Sequence, residues 1–218
     1  MSNEFEFIEI PHDGNDFNSV VRNKLSEKIQ QLKDFGYDLL TDVAIITTNN
    51  FGELGVNKLN EHLRTVINGS NKKKIYIYGK EYYYNDKILF KRNNYEVDLY
   101  NGDVGVIRML NWKDKTVTAD FYGRKIVMDY KLLRDTIPAY VSTVHAVQGN
   151  EFKVVIFILP RFAEPLLNTR NLLYTAVTRA KQKCILISTK QTVWLCIDNK
   201  KEMERKTMLG KFIDINFK

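Results

Sequence analysis

Two short segments carry side chains whose types and spacing suit chemistry. The first is Thr143-Val144-His145-Ala146-Val147-Gln148-Gly149-Asn150-Glu151-Phe152. It offers a hydroxyl, an imidazole, an amide, a carboxylate and a glycine, just ahead of the apolar run Val154-Val155-Ile156-Phe157-Ile158-Leu159. Ligands of open α/β sheets bind at the carboxyl ends of strands, and Gly149 would let backbone approach one closely. A polar connection between two strands fits the same spacing. The second segment is Thr169-Arg170-Asn171-Leu172-Leu173-Tyr174-Thr175-Ala176-Val177-Thr178-Arg179-Ala180-Lys181. Read as a helix over 170–180, it puts Thr175, Thr178, Arg179 and Gln182 on one face. Arg179 could then reach a phosphate across an interface, because a guanidinium stays charged and presents a planar fork of donors. A solvated helical arginine is the plainer alternative.

The elements that must position these groups read as α/β. Glu4–Ile10 alternates aromatic and acidic residues with the period of a strand. Phe17, Val20, Val21, Leu25, Ile29 and Leu32 recur at helical spacing behind Asp16, an expected N-cap, and Gly36 closes that helix. Val43–Thr47 predicts a strand buried on both faces. Leu54, Leu59, Leu63, Val66 and Ile67 predict a second helix ending near Asn68-Gly69. From about Glu81 to Asp135 the pattern changes to short alternating segments: Lys87–Lys91, Val104–Leu110, Thr116–Phe121 and Arg124–Tyr130. Turn residues separate them, as in a small antiparallel barrel. Gly102 and Gly105 predict a tight turn or a bulge. Lys72-Lys73-Lys74 reads as a solvated loop. After Pro138 the α/β pattern returns, with strands at Ala139–Val144, Lys153–Leu159 and Cys184–Ser188 and a helix at Thr192–Ile197. The expected organisation is one parallel-sheet domain built from both ends of the chain, residues 1–80 and 138–218. A small barrel, 81–137, is inserted between them.

Composition excludes several classes. The 218 residues are 44% apolar and 27% charged, with only 11 Gly and 4 Pro, so collagen-like and Pro/Gly-rich disordered readings fail. The longest apolar run is six residues, far below the roughly 20 of a membrane-spanning helix, and the N-terminus has no signal-peptide character. No membrane association is expected. Cys184 and Cys196 read as two reduced thiols, placing the protein in the cytoplasm. The net charge is +7. Residues 161–218 hold 12 basic and 5 acidic side chains, which suits contact with nucleic-acid phosphates. GxxxxGK[ST], GxGxxG and GxSxG are absent. His12, His62 and His145 have no metal-ligand spacing, and no metal site is expected.

TVHAVQGNEF closely resembles motif V of superfamily-one helicases, and RNLLYTAVTRAK resembles their motif VI. DKILFKRNNYEVDLYNGDVGVI resembles the start of the SH3-like insertion of the RecD/TraA branch, and DVAIITTNNFGELGVNKLNEHL the opening of its second RecA-like domain. The resemblance covers nearly the whole chain. It implies a RecA-like parallel sheet with flanking helices, interrupted by an SH3-like barrel, and the C-terminal half of an ATP-dependent 5′-to-3′ DNA helicase acting in repair and recombination. It implies that Arg179 stabilises the transferring γ-phosphoryl group, that Glu151 meets the nucleotide ribose, and that Gln148 and Gly149 sense nucleotide. Thr143 and His145 would face single-stranded DNA, as would Thr47 and Thr48. On the barrel, Lys87, Lys91, Arg92, Asn93, Asn94 and Tyr95 offer cations, amides and an aromatic platform; Tyr95 fits stacking on a base and core packing equally. ATP and Mg2+ would be held mainly by a first RecA-like domain carrying Walker A and B, the expected partner, in the same or a separate chain. The chain is then a piece of a larger motor or a split gene product, with no ATPase activity alone. The competing expectation is a non-catalytic nucleic-acid-binding module or regulatory subunit; an RNA helicase of the same superfamily is a third.

Overall fold

A computed structural model describes residues 4–11, 16–68, 73–161 and 168–200. In chain order the elements are β1 (Glu4–Glu9), α1 (Phe17–Asp34), β2 (Val43–Thr47), α2 (Val56–Asn68), β3 (Lys74–Ile77), β4 (Lys80–Tyr83), β5 (Lys87–Phe90) and β6 (Val104–Asn111). They continue with β7 (Thr116–Phe121), β8 (Arg124–Asp129), β9 (Thr136–Pro138), β10 (Val141–Thr143), β11 (Phe152–Ile158), α3 (Arg170–Val177), β12 (Ala180–Ser188) and α4 (Lys190–Asp198).

Five strands form a parallel sheet in the order β1-β12-β11-β2-β10. β2 and most of β11 are buried, which is why they read as unbroken apolar runs rather than alternating ones. Their side chains split between two cores. Ile45, Ile156 and Ile185 face α1 and α2, whereas Ile46, Phe157 and Leu186 face α3 and α4. α1 buries Val21, Leu25, Ile29 and Leu32 at helical spacing. It ends at Gly36, whose φ of 89° suits a residue without a Cβ. There Gly36 N–H donates to Lys33 O and Tyr37 N–H to Leu32 O, each at 3.0 Å, the paired bonds of a Schellman stop. Asp16 precedes α1, but its side chain makes no capping hydrogen bond.

The middle of the chain forms an antiparallel sheet, β8-β7-β6-β5-β9, and a separate hairpin, β3-β4. Ile75 and Tyr82 of the hairpin share a core with Ile88, Phe90, Ile107, Phe121 and Met128. The hairpin turns at Tyr78-Gly79, where both φ angles are positive, 52° and 75°, as a two-residue turn of this hand requires. Lys74, expected in a loop, begins β3 and pairs with Glu81 at 2.5 Å. Gly102 is a positive-φ turn residue. Gly105 serves close packing: a Cβ there would lie 2.7 Å from the Phe121 ring. The register irregularity of β6 falls further on, between Ile107 and Met109.

A buried polar cluster fastens the two sheets. The Asp86 carboxylate, fully buried, accepts from Tyr140 Oη (2.6 Å), Asn68 Nδ2 (2.9 Å) and Tyr83 N–H (2.9 Å), and pairs with Arg64 at 3.0 Å. Burial pushes its pKa up, against the pull of Arg64. Burial also raises that of the Tyr140 hydroxyl, which stays protonated and donates. Asn60 of α2 clasps the Val141 backbone at both N–H (3.0 Å) and C=O (3.2 Å). Removing one partner from such a cluster leaves a buried polar group unsatisfied and costs about 1–3 kcal/mol, more for a charge.

Candidate nucleotide and nucleic-acid interface

The parallel register separates the candidate residues into two groups. Thr143 is level with Thr47, and Thr47 with Ile158, so Thr143 lies at the carboxyl edge of the sheet. Phe152 is level with Ala180, so Gln148–Glu151 and Arg179 lie at the amino edge. The expectation of one ligand-binding segment at a strand's carboxyl end therefore applies to Thr143 and His145 only. Residues 144–151 form a strap between the edges. A single 3-10 turn, His145–Val147, tucks Val144 and Val147 into the core beneath α3 and α4. The Thr143 hydroxyl accepts from Ala146 N–H at 3.2 Å and starts this turn. His145, Gln148, Gly149, Asn150 and Glu151 are exposed. Gly149 makes the final reversal with φ 88°.

Arg179 is not on a helix. α3 is capped at its start by Thr169, whose hydroxyl accepts from Leu172 N–H at 3.2 Å, and it stops at Val177. The Thr178 hydroxyl donates back to Tyr174 O (3.0 Å) and Thr175 O (3.2 Å). This local side-chain bonding competes with helix propagation. Gln182 is consequently in β12 and does not share a helical face with Thr175. Arg179 occupies the tight turn before β12, and its carbonyl accepts from Phe152 N–H at 2.9 Å. Its guanidinium donates through Nε to Thr175 O (3.1 Å), through one terminal nitrogen to Asn150 O (3.2 Å), and through the other to Thr178 Oγ1 (3.3 Å). The side chain is half-buried, so it lies against the Gln-Gly-Asn-Glu loop. Beside it, Glu151 pairs with Lys181 at 3.3 Å.

The other predicted residues divide. Thr47 is fully buried and donates to Leu54 O at 2.9 Å. Thr48 is 2% exposed. Neither hydroxyl reaches the surface, so the expected contact of these two with a nucleic-acid strand is not available. At the tip of the middle sheet, Tyr95 is 77% exposed, edge-on to Tyr100 at 6.2 Å, so core packing is excluded. Asn94 Oδ1 accepts from Glu96 and Val97 N–H, and Asn93 Oδ1 from Asn101 N–H. These amides shape the loop. Arg92 is exposed, 3.4 Å from Asp135. Sequence reasoning missed Asp86, whose partners come together only in three dimensions; Lys87, expected to offer the nucleic-acid strand a cation, is half-buried.

Part of the basic excess of residues 161–218 lies outside the described residues. Among the described residues, no group of three or more His, Cys, Asp or Glu side chains is placed to hold a metal, and no helix is long and apolar enough to cross a membrane. Cys184 and Cys196 are free and buried, their thiols pushed up to about 11 by burial.

A parallel sheet covered on both faces, with an antiparallel insert and an arginine docked beside a strap that turns at Gly149, is a RecA-like α/β domain. The chain superposes on a Pif1 helicase from Bacteroides, solved with ADP-AlF3 and single-stranded DNA. The TM-score is 0.53 at 15% identity, over 95% of this chain and 56% of that one; the likeness establishes the fold. Residues 138–187 match the UvrD-like helicase C-terminal domain, and residues 59–121 the SH3 domain of ATP-dependent RecD-like DNA helicases. The RecBCD enzyme subunit RecD of Haemophilus influenzae is 28% identical over 173 residues, 79% of this chain and 25% of that protein. The ATP-dependent RecD2 DNA helicase of Deinococcus radiodurans is 31% identical over 141 residues, 65% of this chain and 19% of that protein. The chain thus spans about a quarter or less of these curated relatives. These matches support a RecD-type superfamily-one helicase C-terminal half, as TVHAVQGNEF and RNLLYTAVTRAK imply.

Proposed function

We propose that this chain is the C-terminal motor half of an ATP-dependent DNA helicase, divided into a RecA-like domain at 1–80 and 138–218 and an inserted barrel at 81–137. The observation that carries the reading is the docking of the Arg179 guanidinium on the Asn150 carbonyl. It sets a cation at the rim of the sheet, beside the Glu151 carboxylate. A P-loop domain packed on this rim would hold ATP with Mg2+, and Arg179 would stabilise charge on the transferring phosphoryl group. Such an arginine is worth about 10³–10⁵ in rate. Glu151 would bond the ribose, and Gln148 and Gly149 would follow nucleotide state. Thr143 and His145, with Arg92 and Tyr95 on the barrel, would contact single-stranded DNA. The sequence carries no GxxxxGK[ST] phosphate cradle, and the chain alone is expected to be inactive as an ATPase. In the complete motor, Arg179→Ala should abolish ATP turnover while ATP binding persists. Near-normal hydrolysis by that variant would refute the assignment.

A further inference from the structure

A cleft of about 720 Å³ lies between the strap and the outer face of the inserted sheet. One wall is Ala146, Val147, Asn150 and Glu151; the other is β5, β6 and β7, with Ala139 and Tyr140 between. The volume and mixed lining suit a small organic ligand rather than a water cluster. Six charged or titratable groups face or neighbour the cleft: Lys87, Arg108, Asp120, Tyr122, Tyr140 and Glu151. Their pairing is unequal. Glu151 is neutralised by Lys181. Asp120 accepts from Gly123 N–H at 2.8 Å. Tyr140 donates to Asp86. Among the described residues, Arg108 donates only to the neutral Asn85 amide oxygen, at 2.9 Å. Lys87 is half-buried, and among the described residues it has no ion pair. Asp38, ahead of β2, acts on it at a distance, but burial dominates and pulls its amine down to about 8. A desolvated amine whose counter-charge lies only at a distance is a costly feature, and an anionic ligand would relieve it.

We propose that this cleft binds a nucleoside phosphate, with Lys87 and Arg108 receiving the phosphate and the exposed Tyr122 ring stacking on the base. The ligand is either a free nucleotide or one unit of a single strand; only the second form rests on the function proposed above. Bound there, it touches the barrel on one side and the strap on the other, so occupancy of the cleft bears on the loop that carries Arg179's acceptor.

Calorimetry on the pure chain with thymidine 5′-monophosphate tests this. Wild type is expected to bind one equivalent, Lys87→Met to lose at least tenfold in affinity, and Lys87→Arg to retain binding. The amine is charged below its pKa, so wild-type affinity should fall as pH rises from 7 to 9. Lys87→Arg, which does not titrate in that window, should give a flat profile. The proposal is overturned if the nucleotide fails to bind at millimolar concentration, or binds Lys87→Met as well as wild type. A thymidine oligonucleotide that competes with the mononucleotide and weakens on Lys87→Met places a strand unit in the cleft. One that binds without competing leaves the cleft to free nucleotide. An oligonucleotide that does not bind, beside a mononucleotide that does, supports the cleft and removes the strand contacts proposed for the motor half.

Discussion

Arg179 and Tyr95 are built in opposite ways. The arginine sits in a two-residue turn between α3 and β12, with donors engaged on two segments, Thr175–Thr178 and Asn150. The tyrosine stands on a loop held by asparagine amides, its ring edge-on to Tyr100. One geometry is preorganised for a single charge at a fixed place, where misplacement is expensive. The other offers a flat apolar surface to any base, because every base has a stacking face. The catalytic cation and the sequence-tolerant platform proposed for these two residues need different degrees of restraint, and the two geometries differ in that sense.

The sharpest way to break that contrast is at the rigid end. Arg179→Ala in the complete motor should lower kcat by about 10³–10⁵, and Arg179→Lys should not rescue it, because an ammonium cannot reproduce the fork. Steady-state ATP turnover at saturating DNA measures both. At the exposed end, Tyr95→Ala should weaken single-stranded DNA binding by about 1–3 kcal/mol, while Tyr95→Phe stays close to wild type. Melting temperatures should be unchanged, since exposed substitutions fall within about 0.5 kcal/mol; a large drop in melting temperature would place the ring in a structural role. Glu151→Gln should raise the KM for ATP about tenfold with little change in kcat, the mark of an interaction made equally in ground and transition states. The smallest effect is expected from Thr178→Val, which removes one of the bonds to Arg179. About 1 kcal/mol of positioning corresponds to a fivefold fall in kcat at constant KM.

Much of this was legible in the sequence, and the failures share a cause. The buried runs at Val43 and Val154, the amphipathic α1 and the Gly36 stop are local signals, and each appears where its pattern indicates. The end of α3 was misplaced because Arg170–Ala180 is apolar at helical spacing throughout; the Thr178 hydroxyl, bonding its own turn, ends the helix early. The assignment of Gln148–Glu151 to a carboxyl edge failed for a topological reason. β10 and β11 are parallel, so the chain between them must travel the length of the sheet, which no spacing within the segment reveals. Thr47 and Thr48 stand at the correct edge but turn inward. Asp86 reads as one carboxylate in a polar run, yet its partners Asn68 and Tyr140 are 18 and 54 residues away.

The strap from Val144 to Glu151 has mechanical meaning. Between the levels of Ile158 and Phe152 the sheet measures about 20 Å at strand rise. Nine peptide steps join Thr143 to Phe152, and at extended reach they span about 30 Å. The compact turn at His145–Val147 uses up part of that surplus, since 3-10 backbone advances only about 2 Å per residue. Little slack remains, and Val144 and Val147 pin the segment to the core on the way. The threonine end and the arginine end are thereby kept at a set separation, like two posts joined by a stay that is itself nailed down between them.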